Sequence, residues 1–191
     1  MIAEDLTKTE MITLVIGAAS SGKSEWAELL ATRSPQPIIY IATGVSDPND
    51  PQWQAKIQRH RERRPDSWNA LEVPIDLAQA ISDLQSTKPD NYLLIDSLGT
   101  WLANLLDRDE EQWAAIEQEF LATLQASKLE ITLVAEEVGW GVVPAYELGR
   151  VFRDRLGKLS RKVGAISDRV FLVVGGHAID IKKLGERLPF N

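Results

Sequence analysis

The chain has 191 residues, 44% of them hydrophobic and 26% charged, with a formal net charge of −7 and no cysteine. Those figures suit a globular chain with a substantial core. They exclude a disulfide, a thiol nucleophile and a cysteine metal site, and the acidic balance argues against general nucleic-acid binding. No apolar run approaches the roughly 18 residues of a membrane span, and residues 1–10 lack a signal-peptide pattern, so a cytoplasmic location is expected.

A polar tail is expected over residues 1–10 and a single P-loop domain over 11–191. Ile12 to Ile16 reads as a buried strand and Glu25 to Ala31 as a helix. Pro37 to Ala42 is a second strand, closed by Thr43 and Gly44, with a turn-rich loop from Val45 to Pro51. Gln52 to Arg64 is a polar helix stopped by Pro65. A short strand over Asn69–Val73 and a helix over Ile75–Leu84 precede a strong strand, Tyr92 to Asp96. Helices follow at Leu98–Leu106 and Glu110–Ser127, then a strand at Ile131–Ala135 with Glu136 and Glu137 at its end. A long helix from Pro144 to Ile166 and a last strand, Arg169–Val174, complete the pattern. Strands that are continuous apolar runs, alternating with helices, predict an α/β fold with a mostly parallel sheet and helices on both faces. Ligands in such sheets bind at the carboxyl ends of the strands.

Between the first strand and helix lies Gly17-Ala18-Ala19-Ser20-Ser21-Gly22-Lys23-Ser24. It fits the phosphate-loop pattern G-x-x-x-x-G-K-[ST] at every fixed position, in the strand–loop–helix context the motif needs. Backbone N–H groups of such a loop form an anion-binding concavity, Lys23 reaches the outer phosphates, and the Ser24 hydroxyl can ligate Mg²⁺. Asp96 ends an apolar strand, so it can hold Mg²⁺ beside the phosphates or cap the next helix.

His60 lies among Lys56, Arg59, Arg61, Arg63 and Arg64, five cations within nine residues. Ile57, His60 and Arg64 share one helix face. Neighbouring cations favour the neutral, nucleophilic imidazole, and the arginines can hold a triphosphate against it. Spacing alone favours an incidental histidine on a solvated basic helix. His177, after Gly175-Gly176, reads as a loop histidine. Glu136 and Glu137 suit a general base, a metal contact or a plain turn. Trp140, between two glycines, can border a pocket.

These residues carry a resemblance that runs from about Ile12 to Lys182. It comprises the phosphate loop, Tyr40-Ile41-Ala42-Thr43, and Lys56-Ile57 with His60, Arg61, Arg64, Trp68 and Glu72. Leu94 to Leu98 with Trp101, Asn104 and Leu105 follow, then Glu137-Val138-Gly139, Gly141, Val143-Pro144, and Phe152-Arg153-Asp154 with Gly157. The chain resembles the bifunctional adenosylcobinamide kinase/adenosylcobinamide-phosphate guanylyltransferase family of cobalamin biosynthesis.

The resemblance implies a homotrimer with a RecA-like sheet and two reactions. ATP or GTP phosphorylates the aminopropanol hydroxyl of adenosylcobinamide. GTP then guanylylates a histidine, matched by His60, and GMP passes to adenosylcobinamide phosphate. Nucleotide contacts would fall on Gly17 to Ser24, Ala42, Thr43, Gly44, Arg61, Glu62, Arg63, Arg64, Glu72 and Asp96, with Mg²⁺ at Ser24 and Asp96. The chain departs from the family's usual residues at Ala18 (glycine), Ser97 (cysteine) and Ser160 (asparagine). A plain P-loop kinase for a small metabolite and a nucleotide-gated regulatory module are the competing readings.

Overall fold

The computed structural model describes residues 12–45 and 49–189, without the side chains at 52, 53, 56 and 60. The tail expected over residues 1–10 lies outside the described residues. In chain order the elements are β1 (Ile12–Gly17), α1 (Lys23–Thr32), β2 (Ile38–Ala42), α2 (Pro51–Arg63), β3 (Asn69–Glu72) and α3 (Leu77–Thr87). Then come β4 (Tyr92–Asp96), α4 (Leu98–Ala103), α5 (Glu110–Ala126), β5 (Glu130–Glu136), α6 (Glu147–Ile166), β6 (Arg169–Val174), β7 (His177–Asp180) and α7 (Ile181–Leu184).

The strands form one seven-stranded sheet in the order β3-β2-β4-β5-β1-β6-β7. Every pairing is parallel except β6 with β7. Alternate side chains of each strand feed two cores. On one face Leu14, Ile41, Leu93, Ile95 and Leu133 pack against α3, α4, α5 and α6. The rings of Trp101 and Phe120 lie 4.7 Å apart there, and those of Trp101 and Trp113 5.8 Å apart. Such pairs contribute about 0.5–1.5 kcal/mol each beyond the area they bury. On the other face Val15, Tyr40, Leu94, Val134 and Phe171 pack with Ala27 and Ala31 of α1.

The expected strands and helices are present, with shifts of up to three residues at several helix ends and two additions, β7 and the short helix α7. Arg169–Val174 is followed by a further strand, β7, which pairs antiparallel with β6. Gly175 and Gly176, with φ of 57° and 76°, make the two-residue turn that the twist of a hairpin requires. His177 therefore stands on an edge strand, exposed, with Nδ1 2.9 Å from the Gly175 carbonyl. Helix α4 stops at Ala103 instead of Leu106, where the Asn104 amide turns away to donate to the carbonyls of Thr43 (2.7 Å) and Pro74 (3.0 Å). Helix α6 begins at Glu147 rather than Pro144, and Arg150 donates back to the carbonyls of Pro144 (3.2 Å) and Ala145 (2.7 Å).

Candidate active site

The phosphate loop leaves the central strand β1 and opens α1. A side chain at Gly17 would place its Cβ 2.4 Å from Ser21 Oγ and 2.8 Å from the Val173 carbonyl, so only glycine fits. Gly22 sits at the N-cap of α1 with φ 91°, and no side chain caps that end. The first N–H groups of α1 therefore remain available to an anion. Lys23 is buried, and its Nζ donates to the Ala18 carbonyl at 3.3 Å. Ser21 Oγ is buried without a hydrogen-bond partner among the described residues.

Asp96 ends β4, two strands from β1. It does not cap α4: Ser97 is the cap, and it shares reciprocal hydrogen bonds with Thr100. The Asp96–Ser97 peptide is cis. Tyr40 donates its hydroxyl to Asp96 Oδ2 at 3.2 Å. Burial, and then the Asp96 charge, push the Tyr40 hydroxyl well above the ordinary tyrosine value, so it remains a donor. The Arg64 guanidinium lies 3.9 Å from the Tyr40 ring centroid. Thr43 is fully buried beneath these groups, its hydroxyl donating to the Ser97 carbonyl at 2.7 Å and accepting from Ser97 N at 2.9 Å.

Helix α2 is tied to α1 by charge. Arg63 pairs with Glu25 at 3.1 Å and Glu28 at 3.0 Å. Burial raises the Glu28 carboxyl above its usual range, and Arg63 opposes that shift. Glu136, at the end of β5, accepts from Ser97 Oγ at 2.7 Å and from Gly99 N at 3.0 Å. It occupies the space a side chain at Gly99 would need, since a Cβ there would lie 2.0 Å from Glu136 Oε2. Glu137 closes its own turn by accepting from Gly139 N at 2.6 Å.

A cavity of about 590 Å³ gathers these groups, including Ala19, Ser20, Ser21, Gly22, Lys23 and Ser24 with Ala42, Gly44, Arg63, Arg64, Glu72 and Asp96. Gly17, Ala18 and Thr43, expected as nucleotide contacts, are not among the residues that line it; Gly17 and Thr43 are buried. Arg61 and Glu62 are exposed on α2 and do not line it; Glu62 accepts from Gln58 at 2.8 Å. Ile57 and Arg64, three before and four after His60, both line the cavity. The His60 side chain itself lies outside the described residues. Arg59, one of the arginines expected to hold a triphosphate, and Glu136, a candidate general base or metal contact, line it as well. So do Tyr40, Ser97 and Thr100, which the sequence did not single out for the nucleotide; Tyr40 read as core.

The model of the cobinamide kinase / cobinamide phosphate guanyltransferase family matches residues 13–181. The chain belongs to that family. It is 38% identical over 186 residues to the bifunctional adenosylcobalamin biosynthesis protein CobU of Salmonella typhimurium, covering 90% of this chain and 100% of that protein. The Escherichia coli CobU is 36% identical over the same shares, and CobP of Pseudomonas aeruginosa is 38% identical over 173 residues, covering 90% of this chain and 98% of that protein. The chain is thus an enzyme of the cobinamide kinase/guanyltransferase family.

Solved structures bear on the fold. A Pyrococcus horikoshii OT3 protein aligns with TM-score 0.53 at 8% identity, covering 90% of this chain and 85% of its own. A prototypical ATPase from the type III secretion system of pathogenic bacteria aligns with TM-score 0.51 at 12% identity, covering 85% of this chain and 51% of its own. The expected P-loop α/β architecture, a mostly parallel sheet between helices, is the observed one.

Proposed function

We propose that this family member phosphorylates adenosylcobinamide with ATP or GTP and then transfers GMP from GTP to adenosylcobinamide phosphate through His60. The observation that carries this reading is the convergence of the phosphate loop, Asp96 and the α2 cations on one cavity. In the first reaction the substrate hydroxyl attacks the γ-phosphorus, and the bond to the β-bridging oxygen breaks. Lys23 and the N–H groups of Gly22 to Ser24 hold the phosphates and offset the charge that develops on them. In the second, the neutral His60 imidazole attacks the α-phosphorus of GTP and pyrophosphate leaves. The phosphate oxygen of the acceptor then attacks the same phosphorus, and the histidine departs unchanged.

Arg59, Arg63 and Arg64 border the cavity and supply positive charge, while Gly44 and Glu72 also line it and would meet the nucleoside. Ser24 and Asp96 offer a hydroxyl and a carboxylate to the same cavity. That hard-oxygen pair fits Mg²⁺, which keeps water and takes its remaining ligands from phosphates. When bound it would neutralise phosphate charge. Tyr40, by donating to Asp96 Oδ2, would help fix the carboxylate's orientation for that role. The proposal extends to one functional domain over 11–191, a cytoplasmic location and a homotrimer. Among the described residues, no helix is long and apolar enough to cross a membrane.

The test is incubation with GTP labelled on the α-phosphate, followed by mapping of the label. An acid-labile, alkali-stable adduct on His60 is expected. Absence of any adduct, or an acid-stable one, would refute the histidine route.

A further inference from the structure

A second cavity, of about 400 Å³, opens on the opposite face of the sheet from α1. Leu14, Ile16 and Val170 form its floor, and Gly157, Ser160 and Gly164 on one face of α6 form its wall. A Cβ at Gly157 would meet nothing within 4 Å, so the helix leaves real space there. Ser160 Oγ has no hydrogen-bond partner among the described residues. Val138 and Gly139 of the β5–α6 loop complete one side. That loop is held in place: Glu137 N donates to the Gly17 carbonyl at 2.9 Å, and Arg153 donates to the Gly139 carbonyl. Beyond Gly139 the loop exposes Trp140 (70%), Val142 (95%) and Val143 (61%).

Glu136 connects the two cavities, because it lines both. Its register partner on β1 is Gly17, the first residue of the phosphate loop. A group entering through the second cavity therefore arrives at a carboxylate beside the start of the phosphate loop. Glu136 already accepts two hydrogen bonds, but a carboxylate has about four lone-pair sites.

We infer that this second cavity is the acceptor subsite, taking the hydroxyl-ended arm of the corrinoid and delivering its hydroxyl to Glu136. This rests on the kinase reading given above. The volume suits a short arm and excludes the macrocycle, whose apolar face is left to Trp140, Val142 and Val143 outside the mouth. Ser160 Oγ is the spare hydrogen-bonding group for the arm's amide. In the transfer, the hydroxyl proton passes to Glu136 as the oxygen–phosphorus bond forms and the nucleoside diphosphate leaves.

The experiment is steady-state kinetics with adenosylcobinamide on Gly157→Leu and Gly157→Ala, beside self-guanylylation with GTP alone. Leucine fills the space, so its KM for the acceptor should rise about tenfold or more. Alanine should give a smaller rise, and KM for the nucleotide and self-guanylylation should stay within about twofold in both. Alanine settles the matter if the leucine variant does not fold, because its methyl has no clash to relieve. In Glu136→Gln, kcat for phosphorylation should fall about 10²–10⁴-fold with acceptor KM little changed. A wild-type acceptor KM in a Gly157 variant that still guanylylates itself overturns the subsite and leaves the functional reading intact. A change of oligomeric state with wild-type acceptor KM overturns it too, making the cavity an interface. Wild-type protein without either activity would fail the functional reading itself.

Discussion

The phosphate loop and the basic helix α2 face one cavity but are held in it by different means. The loop is locked by backbone geometry: Gly17 has no room for a side chain, Gly22 takes a left-handed conformation, and Lys23 is buried. Among the described side chains of α2 none is buried, and the helix is fastened at its end by ion pairs from Arg63 and by Arg64 against Tyr40. Phosphate binding by N–H groups depends on where the backbone runs, so substitution is penalised at once. Nucleophilic attack and base recognition depend on side chains, which a polar helix can present without burying them. On the proposed reading, the core carries the phosphate chemistry and the lightly anchored helix carries the histidine step.

Substitutions on either side of that contrast separate its halves. The largest effect is expected from His60→Ala: the covalent guanylyl adduct and GMP transfer should disappear, while much of the phosphorylation survives, as read by labelling and by a coupled kinase assay. Equal loss of both activities in a folded variant would move His60 from attack to positioning. On the loop side, Lys23→Ala should depress both activities together by about 10²–10³-fold, the scale of removing one fixed donor from a developing charge. Wild-type guanylylation in that variant would mean the two reactions do not share the loop.

Asp96→Asn should cost about tenfold or more in rate and shift the Mg²⁺ titration to higher concentration, since an amide is a poorer ligand for a hard cation. The alternative role as a helix cap is already removed, because Ser97 caps α4. Gly99→Ala forces a Cβ to within 2.0 Å of Glu136 Oε2. The clash is with the end of a flexible side chain, so Glu136 should swing aside and stability in urea unfolding should fall by about 1 kcal/mol, the scale of the hydrogen bonds it gives up to Ser97 and Gly99. The smallest effect belongs to Arg63→Ala. Its pairs are partly solvent-screened, so stability should change by under about 1 kcal/mol. Guanylylation should fall more than phosphorylation; the reverse order would make Arg63 a kinase residue.

Some functional groups were legible in the chain and some were not. Gly17 to Ser24 announced itself because a backbone-shaped anion site demands fixed residues at fixed spacing. Asp96 was legible as an acid closing an apolar strand, yet its two possible roles separated only when Ser97 took the cap. Tyr40 looked like core and is core, with its hydroxyl reaching Asp96 across the register of β2 and β4. Thr43 was expected at the nucleotide; it is buried beneath the cavity, joining the ends of two strands. No periodicity along one strand reveals what the neighbouring strand places opposite it.

By itself the sequence determined the alternation of apolar strands with helices, and hence the parallel α/β sheet, because burial on both faces writes a continuous apolar run into each strand. It determined the phosphate loop for the same kind of reason, since local backbone conformation depends on local residues. Tertiary structure alone decided what lies across the sheet. It paired β7 with β6, set Glu136 between Ser97 and Gly99, tied Arg63 to Glu25 and Glu28, and opened a second cavity beside α6. Those contacts join residues far apart in the chain. Their partners are chosen by strand order and packing, and neither is encoded within any one segment.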